Sequence, residues 1–259
     1  MKSKSAHTDM VQAGVLAPFV RVLEEGGGTV DAVFRSCHLP TSAIADPGVW
    51  LPKGQVHWLA ERAARHSGEA TLGLRAGSAI TLQELGGLGA AIGGSATLLE
   101  AGQRAHRSIG SIVSGADCWV QRDGGQAWFC YRPEHRFERG GQQGEQFDLA
   151  MLLQFVRLAT GPDWLPTRIR TVFDHGTDFA RHEDFGEAES IRHPHTSAIG
   201  FPLELLGRPL PRQQDPVGNK QNHAANDTLS GSLSRSTDKL KLFAISEQIA
   251  MLQLQLHLH

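Results

Sequence analysis

The hydrophobic pattern of this chain changes period at Ile109, and that change limits the folds open to it. Before Ile109 the apolar residues recur at helical spacing. In the segments that follow it, up to Arg132, they alternate, as half-buried strands do. The last stretch before the change, Leu85 to Ile109, begins with a glycine-rich crossing at Gly86, Gly87, Gly89, Gly93 and Gly94. It then enters a helix with a legible start. Thr97 is an N-cap and Glu100 stands three residues on, the spacing of a capping box. Leu98, Ala101, Gly102, Ala105 and Ile109 form a narrow apolar stripe behind that cap.

Upstream, residues 10–25 read as a helix, with Val15, Phe19, Val22 and Leu23 on one face and a kink or late start at Pro18. Thr29 to Cys37 is a second short helix that Leu39-Pro40 closes. A third runs from Pro52 to His66, buries Val56, Leu59, Ala60, Ala63 and Ala64, and stops at Gly68. Downstream, Ile112–Gln121 and Gln126–Arg132 are strands joined at Gly124-Gly125, a hairpin signal. That register sets Trp119 opposite Cys130 and Cys118 opposite Tyr131. One face then carries Cys118, Val120, Ala127, Phe129 and Tyr131, a core pattern. The other carries Trp119, Gln121, Trp128, Cys130 and Arg132, which suits a pocket lining.

Glu134 to Glu145 reads as a polar loop and Gln146 to Thr160 as a nearly all-apolar, buried helix. Arg168 to Asp174 reads as a strand, 178–185 as a short helix, and 190–192 and 198–203 as short strands. The fold class is therefore α+β, a helical N-terminal half packed against a small mixed or antiparallel sheet. Residues 1–216 form one domain. Residues 217–238, rich in Asn, Ser, Thr and Asp, read as a polar linker, and 239–259 as an amphipathic segment with Leu242, Ile245, Ile249, Leu252 and Leu256 at near-heptad spacing.

Composition excludes several classes. The 259 residues are 40% hydrophobic and 20% charged, ordinary for a globular protein. A net charge of −2 argues against a dominant nucleic-acid surface. No apolar run is long enough to span a membrane, and the N-terminus has no signal-peptide pattern. Three widely spaced cysteines, Cys37, Cys118 and Cys130, suit reduced thiols in a cytoplasm. The glycine cluster fails the dinucleotide fingerprint, because Gly93 falls one residue late after Gly87-x-Gly89. His193-Pro194-His195 lacks further ligands at metal spacing, and no G-x-S-x-G elbow is present. Neither a cofactor, a metal nor catalysis is expected.

The pieces Leu39-Pro40, Asp46-Pro47, Leu51-Pro52, Leu72-Gly73-Leu74 with Gly77, Leu85-Gly86-Gly87-Leu88-Gly89 and Ser95-Ala96-Thr97-Leu98 with Glu100-Ala101 follow one another in a recognisable order. Gly161 with Trp164 and Pro166, Phe173-Asp174-His175, Phe185-Gly186, Pro209-Leu210-Pro211 and Asp215-Pro216 continue it. Over residues 10–216 the chain resembles the ligand-sensing, arabinose-binding-type N-terminal domain of AraC/XylS transcriptional regulators. The resemblance implies a small-molecule effector, often a homodimer, and a second domain with two helix-turn-helix units. Too few residues follow Pro216 for such a domain of about a hundred residues, so this chain is expected to bind no DNA itself. A freestanding binding protein or enzyme on the same scaffold is the alternative. Effector contacts are expected from Trp119, Trp128 and Arg132 on the hairpin, from Phe173 and His175 at a strand end, and from Trp50 and Trp58 in the helical half.

Overall fold

The computed structural model describes residues 8–27, 29–133, 140–176 and 178–211. All of them belong to the unit Met1–Gln213. The segments read as linker and amphipathic tail lie outside the described residues.

The chain opens with β1 (Met10–Gln12), a 3₁₀ turn (Ala13–Leu16) and α1 (Ala17–Glu25). The single helix expected over 10–25 is thus shorter and starts late, with Pro18 in its first turn, where a missing N–H costs nothing. Residues 10–12 are drawn into a strand by partners distant in sequence. Val11 pairs antiparallel with Leu51 of β2 (Trp50–Pro52) and bridges to Val113. That bridge also explains why Ile112 and Val113 do not join the hairpin as expected.

Four helices follow: α2 (Val30–Ser36), α3 (Lys53–Ser67), α4 (Leu72–Ser78) and α5 (Gly86–Gly93). Gly68 ends α3 in the left-handed region at φ 69°. The glycine crossing is itself helical, as α5. Next comes α6 (Leu98–Ser108). Thr97 caps it by accepting from the Glu100 amide at 3.3 Å. The Glu100 carboxylate reaches back to the amide of Ala96 at 2.7 Å, one residue beyond the standard box.

The hairpin is β3 (Ala116–Asp123) and β4 (Gln126–Pro133), in the register expected, with Trp119 opposite Cys130 and Cys118 opposite Tyr131. Helix α7 (Gly141–Thr160) leads to β5 (Arg168–Thr171), β6 (Glu189–Arg192) and β7 (Ser197–Pro202). The second sheet runs β3-β4-β7-β5-β6, antiparallel except for the β5–β6 pair. Cys118, Phe129 and Tyr131 face the helices and join the main core, while Trp128, Cys130 and Ala198 form a separate cluster on the opposite face. Arg170 lies 3.9 Å over the Trp128 ring there.

Helix α7 begins five residues before the apolar run did. Its first turns carry Gln143, Glu145 and Gln146, all buried. These polar side chains are inside because they have partners there. Gln143 accepts from the Gly73 amide at 2.8 Å and donates to the Ala70 carbonyl at 2.8 Å. It thereby caps α4, whose own cap residue Thr71 makes no side-chain cap bond. Gly73 and Gly77 lie one turn apart on α4, against the α7 backbone. A Cβ on Gly73 would strike the Gln143 carbonyl and sit 2.8 Å from Gln146 Cβ; on Gly77 it would strike the Phe147 carbonyl and sit 2.8 Å from Ala150 Cβ.

Replacing Gly73 or Gly77 by Ala should therefore destabilise the protein by about 1–3 kcal/mol, despite a helix-propensity gain of up to about 1 kcal/mol. Gly110→Ala, where an added methyl meets nothing within 4 Å, is the control. Urea unfolding that shows all three variants equally stable would refute the close crossing.

Candidate functional site

On α3, Lys53, Val56, His57 and Ala60 stand at i, i+3, i+4 and i+7, so they share one face. On α7, Gly144, Phe147, Asp148 and Met151 have the same spacing. The two faces meet around a cavity of about 60 Å³ that Val11, Val15, Phe19, Ile109, Ile112, Val113 and Tyr131 complete. The walls are apolar apart from Lys53, His57, Tyr131 and Asp148. A smaller adjoining space of about 30 Å³ shares Lys53, His57 and Asp148 and extends to Glu145, Phe173 and Ser197.

Lys53 is buried and donates from Nζ to the Tyr131 hydroxyl at 2.9 Å. Burial lowers its pKa from the usual lysine value, while the charges of Asp148 and Asp9 oppose that shift. Burial pushes the Asp148 carboxyl up to about 7; Lys53 works against the shift and Glu145 adds to it. His57 is pushed down to about 3, first by burial and then by Lys53, so its ring is neutral at pH 7. Burial raises the Tyr131 hydroxyl well above its ordinary value.

One turn before Asp148, Glu145 is fully engaged. Its carboxylate accepts from the amides of Val172 at 2.5 Å and Phe173 at 2.8 Å, from the Ser197 hydroxyl, and pairs with His175 Nε2 at 2.8 Å. This is why β5 ends at Thr171 instead of continuing to Asp174. The amides after Thr171 turn away from the ladder towards the Glu145 carboxylate.

Of the seven residues singled out in the sequence, the structure brings Trp58 and Phe173 to one depression and stacks Arg132 on Trp119, and the others lie apart. None lines the main cavity. Phe173 lines the adjoining space, and His175 is buried behind it against Glu145. Trp58 and Phe173 line a larger, more polar depression of about 620 Å³ with Glu61, Arg62, Arg65, Gly140 and Gln142. Trp50 is 40% exposed on β2. Trp119 and Arg132 stack at 5.2 Å on the far face of the hairpin, where Trp128 is buried under Arg170. Sequence reasoning missed Lys53, Tyr131 and Asp148, although each left a signal. Lys53 extends the apolar stripe of α3 by one turn, Asp148 is the one acid in 146–160, and Tyr131 is the sole tyrosine of the chain, on the core face of its strand.

Comparison with known proteins decides the family. Residues 27–210 match the model for the arabinose-binding N-terminal domain of AraC transcription regulators. The chain belongs to that family. A search of curated proteins finds no match. The crystal structure of the transcriptional regulator CdpR from Pseudomonas aeruginosa has a similar fold, with a TM-score of 0.56 at 16% identity. The similarity covers 78% of this chain and 58% of that one. The arabinose-binding-type domain is a regulatory module, and in this chain the cavity between α3 and α7 has apolar walls with a few convergent polar groups. Among the described residues no group of three or more His, Cys, Asp or Glu could hold a metal ion. No helix among them is long and apolar enough to cross a membrane.

The Asp148 shift has a signed consequence. Between its ordinary pKa of 3.8 and about 7, the folded chain keeps a proton that the unfolded chain has lost. Stability from this group therefore falls as pH rises through that window. Asp148→Asn removes the effect. Relative to the unsubstituted protein, the variant should gain stability from pH 4 to pH 7, by up to about 1.4 kcal/mol per pH unit, and level off above. Urea unfolding at a series of pH values measures this; a difference independent of pH would contradict it.

Proposed function

We propose that this domain is the effector sensor of an AraC-type regulator and takes its small-molecule ligand in the cavity between α3 and α7. One observation carries the reading: Lys53 and Asp148 both line a mostly apolar cavity, and no ion pair joins them among the described residues. Buried charges left in this state are costly, and a ligand offers the missing partners. Phe173 and His175 sit at the rim of the site, through the adjoining space and Glu145. In this reading residues 27–210 bind effector and not DNA, and the domain works as a homodimer inside the cell.

The size of the cavity supports a sensing role. At about 60 Å³ it is smaller than the ~150 Å³ that admits benzene. A ligand of that size or larger needs the walls to yield, and α7 supplies four of the lining residues. Helix α7 also holds α4 through Gln143 and the ends of β5 and β7 through Glu145. Ligand binding is then a shift in population between two packings of α7.

A specific observation favours a second reading, catalysis on the same scaffold. A carboxyl moved to about 7 beside a lysine is what general acid–base chemistry uses. Native mass spectrometry of the protein taken directly from its cells separates the readings. Sensing predicts a dimer carrying a small bound molecule that is released chemically unchanged, and Ala60→Leu, which fills the cavity, should abolish the adduct. Turnover of the released molecule by the protein, stopped in Asp148→Asn, would establish catalysis instead. An adduct that persists in Ala60→Leu would place the ligand elsewhere.

A further inference from the structure

The reading of the cavity as the effector site leaves the chemistry of the effector open, and the charges around it narrow the choice. Lys53 has three N–H donors, and the structure shows one of them used, on the Tyr131 hydroxyl. Asp148 accepts no hydrogen bond among the described residues, although it feels the charge of Lys53. The polar end of the cavity therefore offers donors at one point and an acceptor at another.

A ligand with a single charge is poorly suited to this end. An anion placed on Lys53 also meets Asp148, and the charges of Asp9 and Glu145 already act on Lys53 and Asp148 respectively. In a low-dielectric cavity the Asp148 carboxylate repels such an anion strongly. A cation placed on Asp148 meets the Lys53 ammonium instead. A head group with no net charge, reaching both points, supplies both missing partners and adds no repulsion. A polyhydroxylated sugar ring does not fit either. Apart from His57 and Tyr131 the remaining walls are apolar, with Val15, Phe19, Val56, Ala60, Phe147 and Met151 among them, and would leave most of its hydroxyls unpaired.

We propose that the effector is a compact, largely apolar molecule whose polar head carries no net charge and presents an acceptor to Lys53 and a donor to Asp148. An amide and an α-amino acid share this chemistry. The free volume of about 60 Å³ requires the walls to yield, and Met151, unbranched and flexible, is the wall residue that adapts most readily.

Calorimetric titration of the full chain at pH 7.5 tests this with five probes: pentanamide, norvaline, pentanoate, pentylammonium and L-arabinose. Pentanamide, norvaline or both should bind at least about tenfold more tightly than the other three. Preference for pentanamide identifies an uncharged head, and preference for norvaline a zwitterion. Lys53→Met and Asp148→Asn should each weaken the preferred probe by about tenfold or more. Should either variant fail to fold, the ranking on the unsubstituted protein still decides. Pentanoate, pentylammonium or arabinose ranking first, with binding lost in Ala60→Leu, overturns the ligand class and leaves the cavity as the site. If none of the five binds, the cavity reading is overturned and the inference with it.

Discussion

The crossing of α4 and α7 through Gly73 and Gly77 is the contact on which the site depends. Without side chains at those positions the two backbones touch, and the α7 carbonyls of Gln143 and Phe147 occupy the space a Cβ would need. This fixes the axial position of α7. Once α7 is fixed, Gln143 reaches the start of α4, Glu145 reaches the end of β5, and Asp148 reaches the cavity. The three polar residues occupy successive positions along one and a half turns, so an axial slip of the helix would misplace all of them together.

Glu145 and Asp148 show how neighbouring inward-facing acids come to different uses. Glu145 gathers two amides, a hydroxyl and an imidazole, so its charge is compensated and it works as a clamp between α7 and the sheet. Asp148, one turn on, faces the cavity with the partial compensation of a lysine it does not touch. In a low-dielectric interior a satisfied network rigidifies the fold, while an unsatisfied group is costly. In the proposed reading, the pairing of a rigid clamp with an uncompensated neighbour is what couples occupancy of the cavity to the part of the fold that α7 organises.

Much of the fold was legible from sequence because its signals are local. The Thr97 cap, the Gly124-Gly125 turn with its register, the Gly68 stop and the two faces of the hairpin need only residues a few positions apart. The site was less legible. Its residues come from α3, β4 and α7, and nothing in a local pattern says which strand meets which helix. The aromatic side chains chosen from the sequence, such as Trp119 and Trp128, mark the far face of the sheet, because a large ring signals burial but not the cavity it borders. Gly141 to Glu145 read as a loop because two glutamines, a glutamate and two glycines lack an apolar period; they are helical because their partners lie on other elements.

By itself the sequence determined the α+β class, the family, the ends of most elements and the register of the hairpin, all properties of short-range sterics, capping and alternation. Tertiary structure decided that residues 10–12 are a strand, that α7 begins at Gly141, and that Lys53, His57, Tyr131 and Asp148 share one cavity. Each of these rests on contacts between residues far apart in the chain. The free energy of a buried polar group depends on the partners it finds there, and local sequence does not specify those partners.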